Sequence, residues 1–292
     1  MKRFLLLAAA GAILSSKPAQ PATAQAKPPA KSAAAAKKKS TVRRRAVPKP
    51  PPVTAEQRES AQQFVEAHAR EAMEGGIANP AAMVPFYEQL WQLTEGGEGP
   101  LRILHFGDSH IATDDWPAAA RTALQQRFGN GGPGFVQAGR PFAGFRRHDA
   151  KTTQTRGWKA SGLLSREGDL SNGLAGVSLA AEQAGEAVTL EGDGELLELH
   201  YWRQPGGGAL AIEDNGVAIG RVETDGEAGA AVWRATLEAG AHSLAARTLS
   251  SAPVRLFGWT LERRQGVTWE TFGINGAQAD LLLLWNERLF TD

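Results

Sequence analysis

The stretch Leu101-Arg102-Ile103-Leu104-His105-Phe106-Gly107-Asp108-Ser109-His110 decides the fold of this 292-residue chain. Its first six residues form a short apolar run between turn signals, which predicts a buried strand. A tight glycine turn follows, and the pattern becomes helical from Asp114 to Phe128, with Pro117 tolerated in the first turn. A strand, a turn and a helix in this order indicate an α/β protein with a parallel sheet.

The same signature flanks this segment on both sides. Upstream, apolar residues at helical spacing predict helices over residues 54–74 and about 80–94. After Gly266 the signature returns. It comprises a strand at 267–272, a turn at 273–276 and a helix at 277–290.

Between these two parts the sequence follows a different pattern. Short alternating runs are separated by Gly-rich or Asp-Asn-Gly turns at roughly 8–12 residues, which is the spacing of an antiparallel sandwich. The predicted strands are Ala187–Leu190, Leu196–Trp202, Ala209–Glu213, Val217–Val222, Ala231–Leu237, His242–Thr248 and Val254–Leu261.

The patterns divide the chain into five parts. The α/β domain consists of residues 54–149 and, after an inserted antiparallel domain at 150–263, of residues 264–292. Two further parts precede it. They are a leader at residues 1–26 and a linker at 27–53.

The leader has the features of a secretory signal peptide. Lys2 and Arg3 precede an apolar run from Phe4 to Leu14, which is shorter than the roughly 20 residues of a spanning helix. Ala24-Gln25-Ala26 fits a cleavage site for a signal peptidase. The alternative is an uncleaved membrane anchor. In either case we expect the body outside the cytoplasm, in the periplasm or secreted.

The linker is a Pro-, Ala-, Lys- and Arg-rich segment that we expect to stay extended and solvated. Residues 1–53 carry 12 of the 32 Lys and Arg of the chain and none of its 31 Asp and Glu, so the body is acidic. A basic leader joined to an acidic body is not typical of a nucleic-acid-binding protein. The linker is either a plain spacer or an electrostatic contact to an anionic envelope surface.

Composition limits the chemistry further. Hydrophobic residues make up 42% of the chain, which suffices for a core. Cysteine is absent, so disulfides, thiolate metal sites and a cysteine nucleophile are excluded. No metal or organic cofactor is implied by the sequence.

Ser109 is the candidate nucleophile. It follows the predicted strand on a tight turn, where an α/β scaffold exposes such a residue, and a helix N-terminus there would stabilise developing negative charge. Gly107 lets the backbone turn without a clashing side chain. The alternative is that the serine only caps a helix.

Residues 102–111, with Asp114 beyond, resemble the first sequence block of SGNH (GDSL-type) hydrolases. The closest likeness is to the extracytoplasmic branch that includes bacterial peptidoglycan O-acetylesterases. Gly266-Val267 and Gly273-Ile274-Asn275-Gly276-Ala277 are similar to the second block of that branch. In this branch a carbohydrate-binding-module-like β domain interrupts the catalytic domain between the two blocks. The resemblance implies a flavodoxin-like parallel-sheet domain interrupted by an antiparallel β-sandwich.

The resemblance also implies roles for single residues. Ser109 would be the catalytic nucleophile, and its own N–H one donor of the oxyanion hole. Gly276 matches the glycine that supplies a second donor. Asp108 and His110 would brace the loop. Two such donors make sense for ester hydrolysis, since attack on the carbonyl generates an oxyanion.

The sequence departs from the family pattern at two later blocks. The family supplies an oxyanion asparagine from Gly-x-Asn and a catalytic pair from Asp-x-x-His. Neither motif is found here, and no histidine lies beyond His242. We therefore expect a C-terminally incomplete, truncated chain that carries half of the catalytic domain and is nearly inactive alone, because a hydroxyl without its base is a poor nucleophile.

Other histidines are weak candidates for the base. His110 adjoins Ser109, and neighbouring residues seldom align as nucleophile and base. His105 lies within the strand, where a packed residue is expected. His148 is followed by Asp149 in a charged loop, for which we expect pairing at the surface.

Aromatic residues of the inserted domain raise a separate question. Trp202, Trp233 and Trp259 could stack on sugar rings, as aromatic platforms do. The alternative is that they fill the sandwich core.

These observations predict an exported serine esterase that removes O-acetyl groups from peptidoglycan or another envelope polysaccharide through a Ser109 acyl-enzyme. The expected partner is an acetylated polysaccharide. Two alternatives remain at this point: a non-catalytic glycan-binding protein, and a polysaccharide O-acetyltransferase.

Overall fold

The computed structural model describes residues 54–56, 59, 60, 63, 84–97, 99–164 and 171–286. The predicted signal peptide and linker lie outside these residues. So does most of the helix predicted over 54–74, whose described positions after Thr54 are helical. The chain divides into two units, residues 1–74 and 75–292, and all elements named below belong to the second.

The described part of this second unit contains helices at its start and strands through most of its length. The helices are α1 (Val84–Thr94), α2 (Ser109–Ala112), α3 (Asp115–Phe128) and a 3-10 helix (Ala279–Leu284). The strands are β1 (Gly99–Gly107), β2 (Gly134–Gln137), β3 (Lys151–Gln154), β4 (Lys159–Gly162), β5 (Val177–Ala181), β6 (Ala187–Arg203), β7 (Ala209–Asp214), β8 (Val217–Glu223), β9 (Gly229–Thr248), β10 (Val254–Glu262) and β11 (Gln265–Gly273).

Strands β1 and β11 form a two-stranded parallel sheet, as the strand-turn-helix pattern predicted. The register runs without interruption from Gly99 opposite Gln265 to Gly107 opposite Gly273. Helices α1 and α3 pack on one face through a cluster that includes Leu90, Leu101, Val267 and Leu124. The parallel sheet of the sequence analysis is therefore confirmed.

The expectation that β1 is a buried strand is wrong. Of its residues only Leu101 is buried, and Leu104 is exposed. The reason is that β11 is the only strand paired with β1 in the described part of the chain. Strands are buried along their whole length when both neighbours and both faces are covered, which is not the case for β1 here.

The antiparallel sheet has nine strands, in the order β4-β5-β10-β6-β9-β7-β8, with β2 also paired to β10 and β3 to β6. The sheet also includes β2, which lies before residue 150, the predicted start of the inserted domain. Its core cluster includes Leu190 and Leu199, from the two ends of β6, and Leu210 from β7. Both halves of the long strand thus face one interior, as in a sandwich formed by one folded sheet.

Strands β6 and β9 are each longer than predicted. Residues 187–190 and 196–202 are separate strands in the prediction, and so are 231–237 and 242–248, whereas each pair belongs to one continuous strand. The glycines between them do not end the strands. Gly192 and Gly194 lie against Leu261, where a Cβ would come within 3.1 Å of its side chain, and a bulge follows Gly194. Glycine here marks a close approach and a bend.

Trp259 lies on β10 at the centre of the antiparallel core. Its side chain is 0% exposed, so the prediction that it stacks on sugar rings is wrong. It packs instead with the other members of the core cluster, such as Leu199 and Leu256. A large aromatic residue in a central strand contributes more by burial than any other residue type.

The inserted domain begins and ends at one narrow neck. The Val267 N–H donates to the Gly129 carbonyl at 2.9 Å, and the Gly131 N–H donates to the Val267 carbonyl at 3.1 Å. The Arg263 N–H donates to the Gly131 carbonyl at 2.8 Å. These bonds hold the departing and returning chain side by side, and they deliver β11 to β1.

The helix predicted at 277–290 is wrong in type and length. The structure has a short 3-10 helix that ends at Leu284, and residues 287–292 lie outside the described part. Trp285 is extended, packs edge-on against Phe106 and donates its indole N–H to the Leu174 carbonyl at 3.2 Å. Anchoring this side chain draws the backbone out of the helix. No helix of the described residues is long and apolar enough to span a bilayer.

Replacing Trp259 by alanine should lower the free energy of unfolding by about 3–5 kcal/mol, because it opens a cavity in the core. Trp91 is the matched control, since the same substitution at this 62% exposed tryptophan should cost less than about 1 kcal/mol. Urea unfolding followed by circular dichroism measures both. Equal losses in the two variants would contradict the burial of Trp259.

Candidate active site

The two predicted oxyanion residues lie in turns at the same edge of the parallel sheet. Strand β1 ends at Gly107 and β11 at Gly273, and these glycines are register partners. Ser109 follows the first and Gly276 the second. The Ile274 N–H donates to the Gly107 carbonyl at 3.0 Å and joins the two turns. The fold thus brings together residues that are far apart in sequence.

Glycine permits this close approach. A Cβ on Gly107 would lie 2.4 Å from Cγ1 of Ile111, and one on Gly273 would lie 2.2 Å from the Ala112 nitrogen. Both contacts are shorter than any side chain tolerates. Gly276 has φ +80°, a left-handed conformation that favours glycine. The turns therefore need all three glycines for their shape.

Asp108 organises the first turn. Its Oδ1 accepts from the His110 N–H at 2.9 Å and lies 3.0 Å from Nδ1 of that ring, while its carbonyl accepts from Ile111 and Ala112. The backbone hydrogen bond from His110 and then the contact with its ring lower the pKa of Asp108. Asp108 caps helix α2, so the alternative that Ser109 is only a helix cap is wrong.

Ser109 is half-buried and is the first residue of α2. The N–H groups of the first turn have no partner within their own helix, which leaves the Ser109 N–H available to an oxyanion. Helix α2 is a single turn, however, because Asp114 adopts φ +59° and breaks the helix before α3 begins. The helix dipole expected at Ser109 is therefore small, since it grows with the number of aligned peptides.

A buried charged network lies behind this turn. Arg121 donates to both carboxylate oxygens of Asp114, at 3.1 and 2.6 Å, and its Nε lies 2.9 Å from Oδ2 of Asp149. Arg147 donates its Nε–H to Oδ1 of Asp149 at 2.6 Å. The two arginine side chains are at most 2% exposed. Burial lowers the pKa of Arg147, but the charge and hydrogen bond of Asp149 together with the charges of Asp114 and Glu270 outweigh it, and the net shift is upward.

His148 pairs at the surface, as predicted, but its partner is Asp115 rather than Asp149. The His148 ring lies 3.1 Å from Oδ1 of Asp115, and its backbone N–H donates to Asp114 at 2.8 Å. Asp149 turns inward because the two buried guanidinium groups, of Arg121 and Arg147, require a charged partner. The sequence signal for this network is the Arg146-Arg147-His148-Asp149 run itself.

His105 is a packed residue, as predicted. Its Nδ1 accepts from the Trp269 indole N–H at 3.2 Å, and the Trp116 ring meets it edge-on with centroids 4.8 Å apart. Burial lowers the pKa of His105. The neutral ring is thus engaged by two tryptophans.

An apolar pocket of about 460 Å³ opens beside the two turns. Gly107, Asp108 and Ile111 line it from the first turn, and Ile274 and Ala277 from the second. The rest of the wall consists of Phe106, Phe272, Gln278, Ala279, Leu281, Leu282 and Trp285. Such a pocket accommodates a small acyl group or part of a sugar ring.

The remaining predicted glycan-stacking residues are partly accessible. Trp202 and Trp233 are half-buried. Trp202 meets Phe257 edge-on, and Trp233 lies over Gly220, where a Cβ would be 2.3 Å from its ring. Trp233 also packs on the sandwich core. Among the residues that the structure describes, no group of three or more His, Asp and Glu could hold a metal ion.

Glu270 is a polar residue that the sequence analysis missed. It lies on β11, is 3% exposed, and its Oε1 accepts from the Thr268 hydroxyl at 3.1 Å. Burial, followed by the negative charge of Glu262, raises the pKa of Glu270 to about 7. The available signal was an acidic residue inside an otherwise apolar and β-branched strand.

Comparison with known proteins finds similar folds among solved structures. No family model and no curated protein matches the chain. A solved structure of a peptidoglycan O-acetylesterase is similar, with 25% identity, a TM-score of 0.56, and coverage of 70% of this chain and 55% of that chain. This chain therefore spans about half the length of that esterase.

Two further similar structures cover smaller parts of this chain. One is a two-domain esterase active on acetylated mannans, with 15% identity, a TM-score of 0.29, and coverage of 39% of this chain and 36% of that chain. The other is a carbohydrate-binding module from Cellvibrio mixtus lichenase 5A, with 16% identity, a TM-score of 0.30, and coverage of 44% and 96%. The architecture implied by the sequence resemblance, a parallel sheet with an antiparallel domain inserted between its strands, is confirmed.

Glu270→Gln should change how stability depends on pH. The folded state holds the proton of Glu270 up to about pH 7, whereas the unfolded chain releases it near pH 4.5. Native stability therefore falls as pH rises from about 4.5 to 7, by on the order of 3 kcal/mol. The glutamine variant should lose this decline, as measured by urea unfolding from pH 4 to 8.

Glu198 is the matched control with the opposite sign. Hydrogen bonds, first from His200 and also from Arg234, lower its pKa to about 2, although burial opposes the shift. Glu198→Gln should therefore be less stable than the unmodified protein above pH 4.5 and should approach it as pH falls. Parallel curves for the unmodified protein and Glu270→Gln would contradict the buried, proton-binding state of Glu270.

Proposed function

We propose that this chain carries the nucleophile half of a serine esterase that removes O-acetyl groups from peptidoglycan or another envelope polysaccharide. The observation that supports this most is the position of Ser109. It lies half-buried after the carboxyl end of a parallel strand, the turn that holds Gly276 is hydrogen-bonded alongside, and an apolar pocket is lined by other residues of both turns. The similarity to a peptidoglycan O-acetylesterase over 70% of the chain supports the substrate class.

The chemistry follows from these groups. The Ser109 oxygen attacks the acetyl carbonyl carbon while its proton passes to a general base, and the carbonyl oxygen becomes an oxyanion. The N–H groups of Ser109 and Gly276 donate to this oxyanion, and losing one such donor typically costs about 3–4 kcal/mol of barrier. The bond to the sugar oxygen then breaks, and the sugar leaves with a proton from the base. Water hydrolyses the acetyl-serine to acetate and restores Ser109.

The general base is proposed to come from a segment outside this sequence. Three histidines near the turns are engaged elsewhere: His105 by tryptophans, His110 by Asp108 and His148 by Asp115. In the described part of the chain, β1 has a strand neighbour on one edge only. Further strands on the free edge would bring an Asp and His pair to the Ser109 side of the sheet. The half-length match to the solved esterase is consistent with this arrangement.

Location outside the cytoplasm is part of the proposal. A signal peptide at residues 1–26 would export the chain, and the basic linker at 27–53 would contact anionic envelope polymers by charge. Both features fit an enzyme that meets its polysaccharide in the envelope.

Acetate release from O-acetylated peptidoglycan tests this function. The chain should release acetate slowly, and added imidazole should raise the rate because it replaces the missing base. Ser109→Ala should fall to the level of substrate with imidazole alone. Ser243→Ala, at an exposed serine of β9, is the matched control and should behave as the unmodified chain. Release that is equal in the Ser109→Ala and unmodified chains would contradict the proposal.

A further inference from the structure

The loop between β2 and β3 crosses the active-site edge of the parallel sheet. The Arg146 N–H donates to the Ala112 carbonyl at 3.0 Å, and the Asn275 side-chain N–H donates to the Ala143 carbonyl at 2.8 Å. The loop is therefore attached to both turns of the candidate active site. Ser109 begins the one-turn helix that Ala112 ends, so the backbone of Arg146 is bonded to the end of the helix opposite Ser109.

This loop forms one wall of a groove of about 420 Å³. No carboxylate lines the groove, whereas five of its residues can carry a positive charge. They are Arg140, Arg146, Arg147, His148 and Lys151. This concentration of cations is unusual on a body with more acidic than basic residues. Two threonines of β3, Thr152 and Thr153, also line the groove.

The exposed cations are only partly neutralised. Arg140 is exposed, and no carboxylate of the described residues lies within salt-bridge distance of it. Arg146 is 61% exposed and only 3.9 Å from Asp115, which it shares with His148. Lys151 pairs with Glu191 at the rim. Guanidinium groups that lack a bidentate partner are available to bind a carboxylate from a ligand.

One of the groove's cations, Arg147, is held in place by several hydrogen bonds. Arg147 is buried and held by Asp149, the Phe135 carbonyl and the Thr271 hydroxyl. The cationic wall is thus anchored to the network behind the Ser109 turn. Such anchoring reduces the entropy lost when a ligand binds.

We propose that this groove binds the carboxylate groups of an acidic glycan next to the sugar whose ester is cleaved at Ser109. The inference rests on the proposed function and specifies its substrate: an anionic polysaccharide rather than a neutral one. A nucleic acid is the less suitable occupant, because the body is acidic and no exposed aromatic residue lines the groove for base stacking.

Binding of oligogalacturonate to the full chain tests the proposal, with the fully methyl-esterified oligomer as the neutral counterpart. The acidic oligomer should bind at least about tenfold more tightly than the ester, and its affinity should fall with added NaCl. Arg140→Gln combined with Arg146→Gln should weaken acidic binding about tenfold and leave binding of the ester unchanged.

The matched control is Arg221→Gln combined with Arg234→Gln, two arginines of similar exposure on β8 and β9. It should bind the acidic oligomer as the unmodified chain does. Each groove substitution is also made singly, so that a double variant that fails to fold does not decide the result. Equal affinity for acid and ester, no effect of the groove variants, or equally tight binding of single-stranded DNA of the same charge would overturn the proposal.

Binding and catalysis are separated by Ser109→Ala, which should retain full affinity for the acidic oligomer. Absence of esterase activity together with intact groove binding would reject the proposed function and keep the groove. Ser109-dependent acetate release without preferential binding of the acidic oligomer would keep the proposed function and reject the groove proposal.

Discussion

The pairing of β1 with β11 is the interaction on which the candidate site depends. The turns that carry Ser109 and Gly276 lie at one edge of the sheet because nine consecutive register partners align the ends of these strands. The strands are separated by the whole antiparallel domain, and closing a flexible loop of that length would cost about 4–5 kcal/mol of entropy. The hydrogen bonds at Gly129, Gly131 and Arg263 reduce this cost, since they hold the ends of the insertion together. The folded antiparallel domain thus helps to hold β1 and β11 together.

Charge burial reinforces the same arrangement. Asp114 lies between α2 and α3, Asp149 lies just before β3, and Arg121 on α3 contacts both carboxylates. Removing one member would leave an uncompensated buried charge, which is far more costly than the loss of a surface ion pair. The network therefore fixes the Ser109 turn relative to the loop that forms the cationic groove.

Local pattern was sufficient to predict the parts of the fold that short-range physics determines. The strand before Gly107, the helix to Phe128 and the parallel strand after Gly266 each carry their own turn and periodicity signals. These signals do not report tertiary contacts. The local pattern predicts that a strand ends at the glycines of β6. In the structure these glycines pack against Leu261 and lie within one continuous strand.

Long-range contacts explain the remaining differences at the site. The sequence permits Trp259 to be a sugar platform or a core residue, and the sheet order and its burial show that it belongs to the core. The local sequence predicts that Asp149 lies at the surface. The ion pair with Arg121, 28 residues earlier in the sequence, is not visible in that local pattern. Local signals were enough to predict that Ser109 follows the end of a strand, whereas Gly276 was predicted from the resemblance to the second sequence block.

The path of the loop between β2 and β3 has a consequence for how such proteins diverge. Strand β2 pairs with β10 in the antiparallel sheet, whereas the loop that follows it is bonded to Ala112 and to Asn275. The chain thus enters the insertion, returns to support the Ser109 turn, and enters the insertion again. A recombination event at the neck would carry this support away with the sandwich. The two folds are consequently obliged to be inherited together, and their sequences must change in concert.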